Sequence, residues 1–302
     1  MYSKKQNITG KTKKLLDDNK DFNFKERFGG IPKSIMKFKK SKKLMNLIEY
    51  DNSELGKVEG DAKARGGGYA KKLRYSIYNP DQAYFILDYY TRPGDVVLDP
   101  FMGRGTRPII TLHLDRKYIG YDTSKKTVEL NQGLIERKMN DKVDNAKLIH
   151  GDGTSAESYK EFINRDLKVD AVFTCPPYYN IEKYGGEDGD LSQLKQNEFD
   201  DRINEMFSNL YKVIKTSSYK DVEFYPVIIT VGSLRKGNKG IIDMDRVFQN
   251  IAIDNGFVLH DKMFTENLTP GAGFTFRRNY GYRFLTKNHE TTLIFMKYKE
   301  LN

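Results

Sequence analysis

Three carboxylates of this 302-residue chain each follow an apolar run, at the point where the run ends. Asp99 closes Val-Val-Leu-Asp, Asp122 closes Tyr-Ile-Gly-Tyr-Asp, and Asp152 follows a third run inside Gly-Asp-Gly. Ligands bind beyond the carboxyl ends of parallel strands, so we expect these side chains at one edge of a sheet. Asp122 follows Asp99 by close to the roughly 20 residues at which an acidic residue meets a ribose in dinucleotide-binding folds. Carboxylates repel a diphosphate, so the pattern favours a cationic ligand that carries a ribose. The alternative is that Asp122 only caps the helix that follows it.

The first of these strand ends continues into a glycine-containing turn. Asp99-Pro-Phe-Met is followed by Gly103, Arg104, Gly105 and Thr106, and a helix is predicted to begin around Arg107. Glycines let the backbone turn sharply and let a ligand approach closely. The helix that follows presents free N–H groups and a positive dipole end. Gly-x-Gly alone is common in turns, but here it follows a strand and opens a helix, which favours a ligand-binding loop.

A fourth apolar run ends in a proline-rich turn with aromatic residues. Asp170-Ala-Val-Phe-Thr leads into Cys175-Pro176-Pro177-Tyr178-Tyr179. Two prolines fix the backbone, remove two N–H donors and leave carbonyl groups that can accept hydrogen bonds. Such a rigid acceptor pocket beside an aromatic ring suits an amino group on a planar base. A simple turn after a strand is the alternative.

Alternating strands and helices must position these turns. Helices are predicted between the first five strands, for instance over Ser124–Met139 and Phe199–Lys215, and this alternation is typical of a mainly parallel sheet with helices on both faces. Nearer the N-terminus, residues 33–49 are predicted to form a basic amphipathic helix, and a domain boundary is expected near residue 75. The predicted strands are Asp95–Asp99, Tyr118–Asp122, Ala146–Gly151, Asp170–Thr174, Phe224–Val231, Phe257–Phe264 and Thr291–Tyr298.

The charge of the chain is concentrated in its N-terminal quarter. The net charge is +10 overall, and residues 1–75 hold 20 lysines and arginines against 9 aspartates and glutamates. A basic segment of this kind can neutralise phosphates, which predicts contact with nucleic acid; a solvated basic arm is the alternative. A single cysteine, Cys175, cannot form an internal disulfide, so we expect a cytoplasmic protein. No apolar run is long enough for a membrane span, and no cysteine–histidine cluster indicates a metal site.

Taken in order along the chain, these motifs resemble the DNA amino-methyltransferases, the N6-adenine and N4-cytosine enzymes. The turns at Asp99–Thr106 and Cys175–Tyr178 are similar to their Asp-Pro-Phe-x-Gly-x-Gly-Thr and Pro-Pro-Tyr signatures, and Tyr78-Asn79-Pro80 is similar to the segment that precedes the first of them. The resemblance covers residues 75–298 and implies a Rossmann-like class I methyltransferase fold. That fold is a mainly parallel seven-stranded sheet with helices on both faces, here over residues 76–302 after a basic N-terminal extension of residues 1–75.

The resemblance also implies the cofactor, the partner and the roles of the site residues. The cofactor would be S-adenosylmethionine and the partner DNA, without a metal. Asp99–Thr106 would wrap the methionine part, Asp122 would hold the ribose hydroxyls and Asp152 would meet the adenine edge. The cofactor-binding residues implied are Asp99, Pro100, Phe101, Gly103, Gly105, Thr106, Asp122, Asp152 and Asn79, and the catalytic residues are Cys175, Pro176, Pro177 and Tyr178.

The expected reaction is direct attack of an exocyclic amino nitrogen of adenine or cytosine on the methyl group, after the base has left the duplex. The Pro176 carbonyl would accept the amino hydrogens and Tyr178 would stack on the base. Cys175 departs from the Asp, Asn or Ser of the family; a thiol is a weak acceptor, and the target base stays open. A nucleophilic role for Cys175 is disfavoured because the cysteine precedes the prolines. His289 is expected to make local hydrogen bonds rather than to act at the target.

Two other functions remain open at this point. The same fold acts on RNA or on glutamine amide nitrogen in other enzymes that carry Pro-Pro-Tyr loops. A nucleic-acid-binding protein with a decayed pocket would also fit the cysteine at position 175, although the preserved Asp99, Gly103, Gly105 and Asp122 argue against it.

Overall fold

The computed structural model describes residues 32–49, 77–177, 189–235, 240–266, 283, 285 and 288–299. Within them, an eight-stranded sheet has the order β1-β9-β10-β6-β5-β2-β3-β4. Neighbouring strands are parallel except for β10, which is antiparallel to both β6 and β9. The strands of this sheet are β1 (Ile35–Met36), β2 (Val96–Asp99), β3 (Lys117–Asp122), β4 (Ala146–His150), β5 (Ala171–Thr174), β6 (Pro226–Val231), β9 (Val258–Glu266) and β10 (His289–Met296). A separate two-stranded sheet pairs β7 (Leu234–Arg235) with β8 (Ile241–Ile242).

Helices cover both faces of the sheet. The helices are α1 (Lys42–Leu47), α2 (Pro80–Tyr90), α3 (Thr106–His113), α4 (Lys125–Lys138), α5 (Lys160–Asn164), α6 (Gln196–Val213) and α7 (Met244–Asp254). One apolar core joins α5, α6 and α7 to side chains such as Leu98, Ile229 and Leu293. On the opposite face, α2 and α3 pack on Val97 and Phe173, and α3 and α4 pack on Tyr118. The predicted fold class is therefore confirmed.

Short 3₁₀ helices at Asn140–Asn145, Ala156–Tyr159 and Leu191–Gln193 lie in the connections. The seven predicted strands are all present, with ends that differ by a few residues. The apolar runs of β2, β5 and β6 are continuous because both faces of these strands are covered. The eighth strand, β1, was not predicted.

The predicted helix over residues 33–49 is wrong over its first half. Ile35 and Met36 pair in parallel with Phe264 and Thr265 at the edge of the sheet, and the helix begins only at Lys42. An unpaired sheet edge offers hydrogen bonds that a local periodicity does not reveal. Ser41 then caps α1: its Oγ accepts from Leu44 N at 3.4 Å, and its own N–H donates to Asp81 at 2.8 Å.

Six strands of the sheet run in one direction and therefore end at the same edge, the carboxyl edge of the sheet. These strands are β2, β3, β4, β5, β6 and β9. The turns after Asp99, Asp122 and Thr174 therefore leave the sheet side by side. The domain boundary predicted near residue 75 falls in residues 50–76, outside the described part of the chain. Across the described residues, no helix is both long and apolar enough to cross a membrane.

Candidate active site

Asp99 is fully buried at the end of β2, and four protein groups donate hydrogen bonds to its carboxylate. Its Oδ1 accepts from Thr174 Oγ1 at 2.6 Å and from Phe101 N at 3.1 Å. Its Oδ2 accepts from Tyr118 Oη at 2.8 Å and pairs with Arg107 Nε at 2.6 Å. A buried carboxylate with this many donors is held in one orientation. Asp99 thereby fixes the start of the turn.

Arg107, on the first turn of α3, holds the same turn from its other side. Its Nη2 donates to the carbonyl oxygens of Met102, at 3.0 Å, and of Phe101. Burial works to lower the pKa of Arg107, but the Asp99 charge and hydrogen bond, together with Cys175 and Tyr118, outweigh it and raise the pKa, so the guanidinium stays charged. This buried ion pair makes the turn rigid.

The two glycines of the turn lie where backbone freedom is needed. Gly103 has a φ of +54°, in the left-handed region that favours glycine. Its N–H donates to Asp122 Oδ2 at 2.9 Å, and its carbonyl accepts from Asn131 Nδ2 at 2.7 Å. Gly105 is the N-cap of α3, and no side chain caps that helix start. The turn therefore presents a helix N-terminus, with its positive dipole end, at the carboxyl edge of the sheet.

Asp122 makes the contact at the start of the next helix that one of the two alternatives expects, and its contact with a ribose remains a prediction. One oxygen, Oδ1, accepts from Ser124 N at 2.9 Å at the start of α4, while Oδ2 accepts from Gly103 N. Each carboxylate oxygen can accept a second hydrogen bond. The side chain is partly buried, so it can both brace the Gly103 turn and receive ligand hydroxyls.

Asp152 is paired with an arginine that the sequence analysis did not identify. Its Oδ1 accepts from Thr154 N at 2.8 Å and from Thr154 Oγ1 at 2.6 Å. Its Oδ2 pairs with Arg202 of α6. A Cβ on Gly189, which has a φ of +89°, would lie 2.8 Å from the same oxygen, so the segment that enters α6 packs directly on Asp152. The Asp152 carboxylate is thus held by an ion pair with α6.

The start of the proline-rich turn adjoins the start of the glycine turn. Thr174, the last residue of β5, donates to Asp99 and accepts from Phe101 N at 3.3 Å, and Cys175 follows it directly. Cys175 and Pro177 are partly buried and Pro176 is buried. The two turns therefore share one edge. Tyr178 lies outside the described residues.

Asn79 acts as the N-cap of α2. Its Oδ1 accepts from Asp81 N at 3.0 Å and from Gln82 N at 3.4 Å, and Pro80 is the first helical residue. The neighbouring Tyr78 is connected to the turn more directly, because its carbonyl accepts from Thr106 Oγ1 at 3.1 Å. Its ring lies edge-on to Phe173, with centroids 5.5 Å apart. A cofactor contact of Asn79 remains a prediction.

Pro100 and Phe101 are the remaining residues that the resemblance implies for cofactor binding. The Pro100 carbonyl lies only 2.0 Å from where a Cβ on Gly153 would stand, so the turn after β4 packs directly on the turn after β2. Replacing Gly153 by alanine must therefore displace backbone, and we expect a loss of about 1–3 kcal/mol in unfolding free energy. Binding of S-adenosylhomocysteine should weaken as well.

The neighbouring Gly151 provides the control for this substitution. Its nearest Cβ contact would be an ordinary 3.8 Å, to Tyr121. Thermal melts and calorimetric titration of Gly153→Ala and Gly151→Ala compare the two positions. Equal behaviour of both variants would show that the two turns do not need this close approach.

Sequence reasoning missed Arg107, Tyr118 and Arg202. They lie outside the recognised motifs, and their partners, Asp99 and Asp152, are 8 to 50 residues away in the sequence. His289 is exposed, and its ring lies 5.8 Å edge-on from Phe264.

In the described part of the chain, no group of three or more histidines, cysteines, aspartates or glutamates is placed to hold a metal ion.

Comparisons with known proteins bear on the first half of this site. Residues 3–133 match the N6/N4 methyltransferase family model, described as DNA methylase. The chain is 27% identical over 140 residues to type II methyltransferase M.MthZI of Methanothermobacter thermautotrophicus, covering 43% of this chain and 36% of that protein. It is 40% identical over 47 residues to type II methyltransferase M.HpaI of Haemophilus parainfluenzae, covering 16% and 15%. The alignments thus span about a third or less of each relative's length.

Among solved structures, TrmN from Thermus thermophilus is similar at 13% identity with a TM-score of 0.47, over 74% of this chain and 50% of that one. The family match includes the Asp99–Thr106 turn and Asp122 and ends before Cys175. With the two type II methyltransferases, it shows that this part of the chain is similar to the DNA amino-methyltransferases.

Proposed function

We propose that this protein transfers a methyl group from S-adenosylmethionine to the exocyclic amino nitrogen of adenine (N6) or cytosine (N4) in DNA. The observation that carries the proposal is the hydrogen bond from Thr174 Oγ1 to Asp99 Oδ1, 2.6 Å long. It joins the residue before Cys175 to the first residue of the glycine turn. A donor held by one turn and an acceptor held by the other would then face each other.

The residues at β2 and β3 fit a cationic, ribose-bearing ligand. Asp122 would hold the ribose hydroxyls from its place at the end of β3, and the start of α3, which no side chain caps, suits the carboxylate of a methionine group. S-adenosylmethionine supplies an electrophilic methyl group on a sulfonium ion. Asp99 contributes by holding the turn, because both of its oxygens are engaged by protein donors.

Asp152 is the residue proposed to meet the adenine edge. Arg202 and Thr154 hold the Asp152 carboxylate in one orientation, and this orientation sets the direction of its remaining lone pairs. Arg202 is thus a positioning residue for the nucleoside end of the proposed site.

The target base would lie against the turn after β5. An amino group on a base is a poor nucleophile, because its lone pair is delocalised into the ring. The Pro176 carbonyl would accept an amino hydrogen and favour a more tetrahedral nitrogen, with Tyr178 stacking on the base. Extruding the base from the duplex costs a few kcal/mol, which stacking and pocket hydrogen bonds offset.

Exposed lysines on the segment that contains β1 and α1 support a nucleic-acid partner. The segment that contains β1 and α1 runs from the edge of the sheet toward α2, where Ser41 bonds to Asp81. Such side chains neutralise phosphates without reading sequence. The exposed lysines of this segment are Lys33, Lys37, Lys39, Lys40, Lys42 and Lys43.

Methyl transfer from tritiated S-adenosylmethionine tests the proposal. Duplex DNA of mixed sequence, structured RNA and a protein extract form three parallel arms, each digested and resolved into modified nucleosides or amino acids. We expect label in N6-methyladenine or N4-methylcytosine from the DNA arm. Label confined to RNA or protein, or no label in any arm, would contradict the proposal.

A further inference from the structure

A second cluster of polar side chains lies at the carboxyl edge of the sheet, on the side of β5 away from β2 and the glycine turn. The register aligns Thr174 of β5 with Ile229 of β6, and Thr230 of β6 with Thr292 of β10. Two residues before Thr292, Glu290 aligns with Thr265 of β9. The strands that carry these residues are consecutive neighbours from β5 to β9.

These polar side chains lie on the same face of the sheet as Cys175. Side chains alternate between faces, and Phe173, Ile228, Met263 and Ile294 all pack in one core with α2. Two residues further toward the carboxyl edge, the same face carries Cys175, Thr230 and Thr265. On antiparallel β10 this direction runs toward lower residue numbers, so the corresponding residue is Thr292, and Glu290 lies two residues beyond it on the same face.

Direct contacts support this placement for Thr230 and Thr292. Tyr78 Oη lies 2.9 Å from Thr230 Oγ1, which lies 2.9 Å from Thr292 Oγ1. Gln82 of α2 donates to Thr292 Oγ1 at 3.5 Å. A chain of hydroxyl groups therefore extends from the region beside Cys175 across β6 to β10.

Thr265 adds a separate observation beside Glu290. It is fully buried, and its Oγ1 has no hydrogen-bond partner in the described protein. A buried hydroxyl without a partner costs free energy, so it indicates a polar group that the described residues do not supply.

Glu290 is partly buried and carries its charge toward this region. Burial raises the pKa of the Tyr78 phenol, and both Cys175 and Glu290 raise it further. Both groups thus lie within electrostatic reach of the same phenol. From Cys175 to Glu290, the backbone separation is two strand spacings, about 10 Å, plus about 7 Å along the strand.

We propose that Glu290 is a further residue of the target-base site and supplies the carboxylate that the first position of Cys175-Pro176-Pro177 lacks. The inference rests on the proposed function. In the reaction, the amino nitrogen forms a bond to the methyl carbon as the carbon–sulfur bond breaks, and that electron pair stays on sulfur. The nitrogen becomes cationic and releases a proton, which the Glu290 carboxylate accepts and passes to solvent.

Single-turnover methylation of DNA by full-length variants tests this role. Glu290→Gln keeps the shape but cannot accept the proton, and we expect a rate constant lowered at least about tenfold. The Kd for S-adenosylmethionine should stay within about twofold of wild type, because the cofactor turn lies on β2 and β3. Glu290→Asp should recover part of the rate, and Cys175→Asp should recover part of it in the Glu290→Gln background.

Glu266→Gln is the matched control. Glu266 lies at the same edge but on the opposite face, where it pairs with Lys37 at 3.5 Å, and its variant should react at the wild-type rate. A rate for Glu290→Gln within twofold of an active wild type would overturn this inference and leave the proposed function standing. An inactive wild type would overturn both.

Discussion

Replacing Asp99 by asparagine should lower the free energy of unfolding by about 3–5 kcal/mol, because it leaves the buried Arg107 without its counter-charge. The side chains of this pair are 0% and 5% exposed, so water cannot replace the lost carboxylate. Asparagine also presents N–H donors where Asp99 accepts from Tyr118 and Thr174. Urea unfolding followed by circular dichroism measures the change.

Asp115→Asn is the control for this prediction. Asp115 pairs with Lys142 at 2.6 Å, but its side chain is exposed, and pairs of this kind contribute little. Its variant should keep the wild-type midpoint. If Asp99→Asn unfolds at the same denaturant concentration as Asp115→Asn, the buried ion pair does not stabilise the turn.

Replacing Asp122 by alanine should weaken S-adenosylhomocysteine binding by at least about 100-fold. Two charge-assisted hydrogen bonds to ribose hydroxyls contribute about 1.5–3 kcal/mol each. The substitution also removes the acceptor for Gly103 N, at 2.9 Å, which holds the turn in its left-handed conformation. The two effects act in the same direction.

Calorimetric titration measures this effect, with Asp141→Ala, an exposed position, as the control. The control should bind as wild type does, and thermal melts of both variants separate a binding defect from unfolding. A Kd for Asp122→Ala within threefold of wild type would remove Asp122 from the nucleoside site.

The strands and the turns between them could be predicted because their signals are local. Apolar runs such as Val96–Asp99 and Ala171–Thr174 identify buried strands, and parallel order brings their ends together. Asn79 followed by Pro80 is also a local signal, typical of a helix start. The family resemblance implied a cofactor contact for Asn79 instead of this capping role.

The contacts that hold the site could not be predicted because they join distant parts of the chain. Asp99 meets Tyr118 and Thr174, and Asp152 meets Arg202 from another helix. The pairing of Ile35 with Phe264 likewise overrides the helical periodicity of its segment. No local pattern specifies which of many arginines or hydroxyls will meet a given carboxylate.

A crystal structure of the protein with S-adenosylhomocysteine and a DNA duplex that contains its methylation site tests the central claim most directly. The account predicts the ribose at Asp122, the homocysteine along Asp99–Thr106, and an extruded base with its amino group at the Pro176 carbonyl. Binding of nucleoside and base at opposite ends of the sheet, with no shared cleft between the two turns, would contradict it.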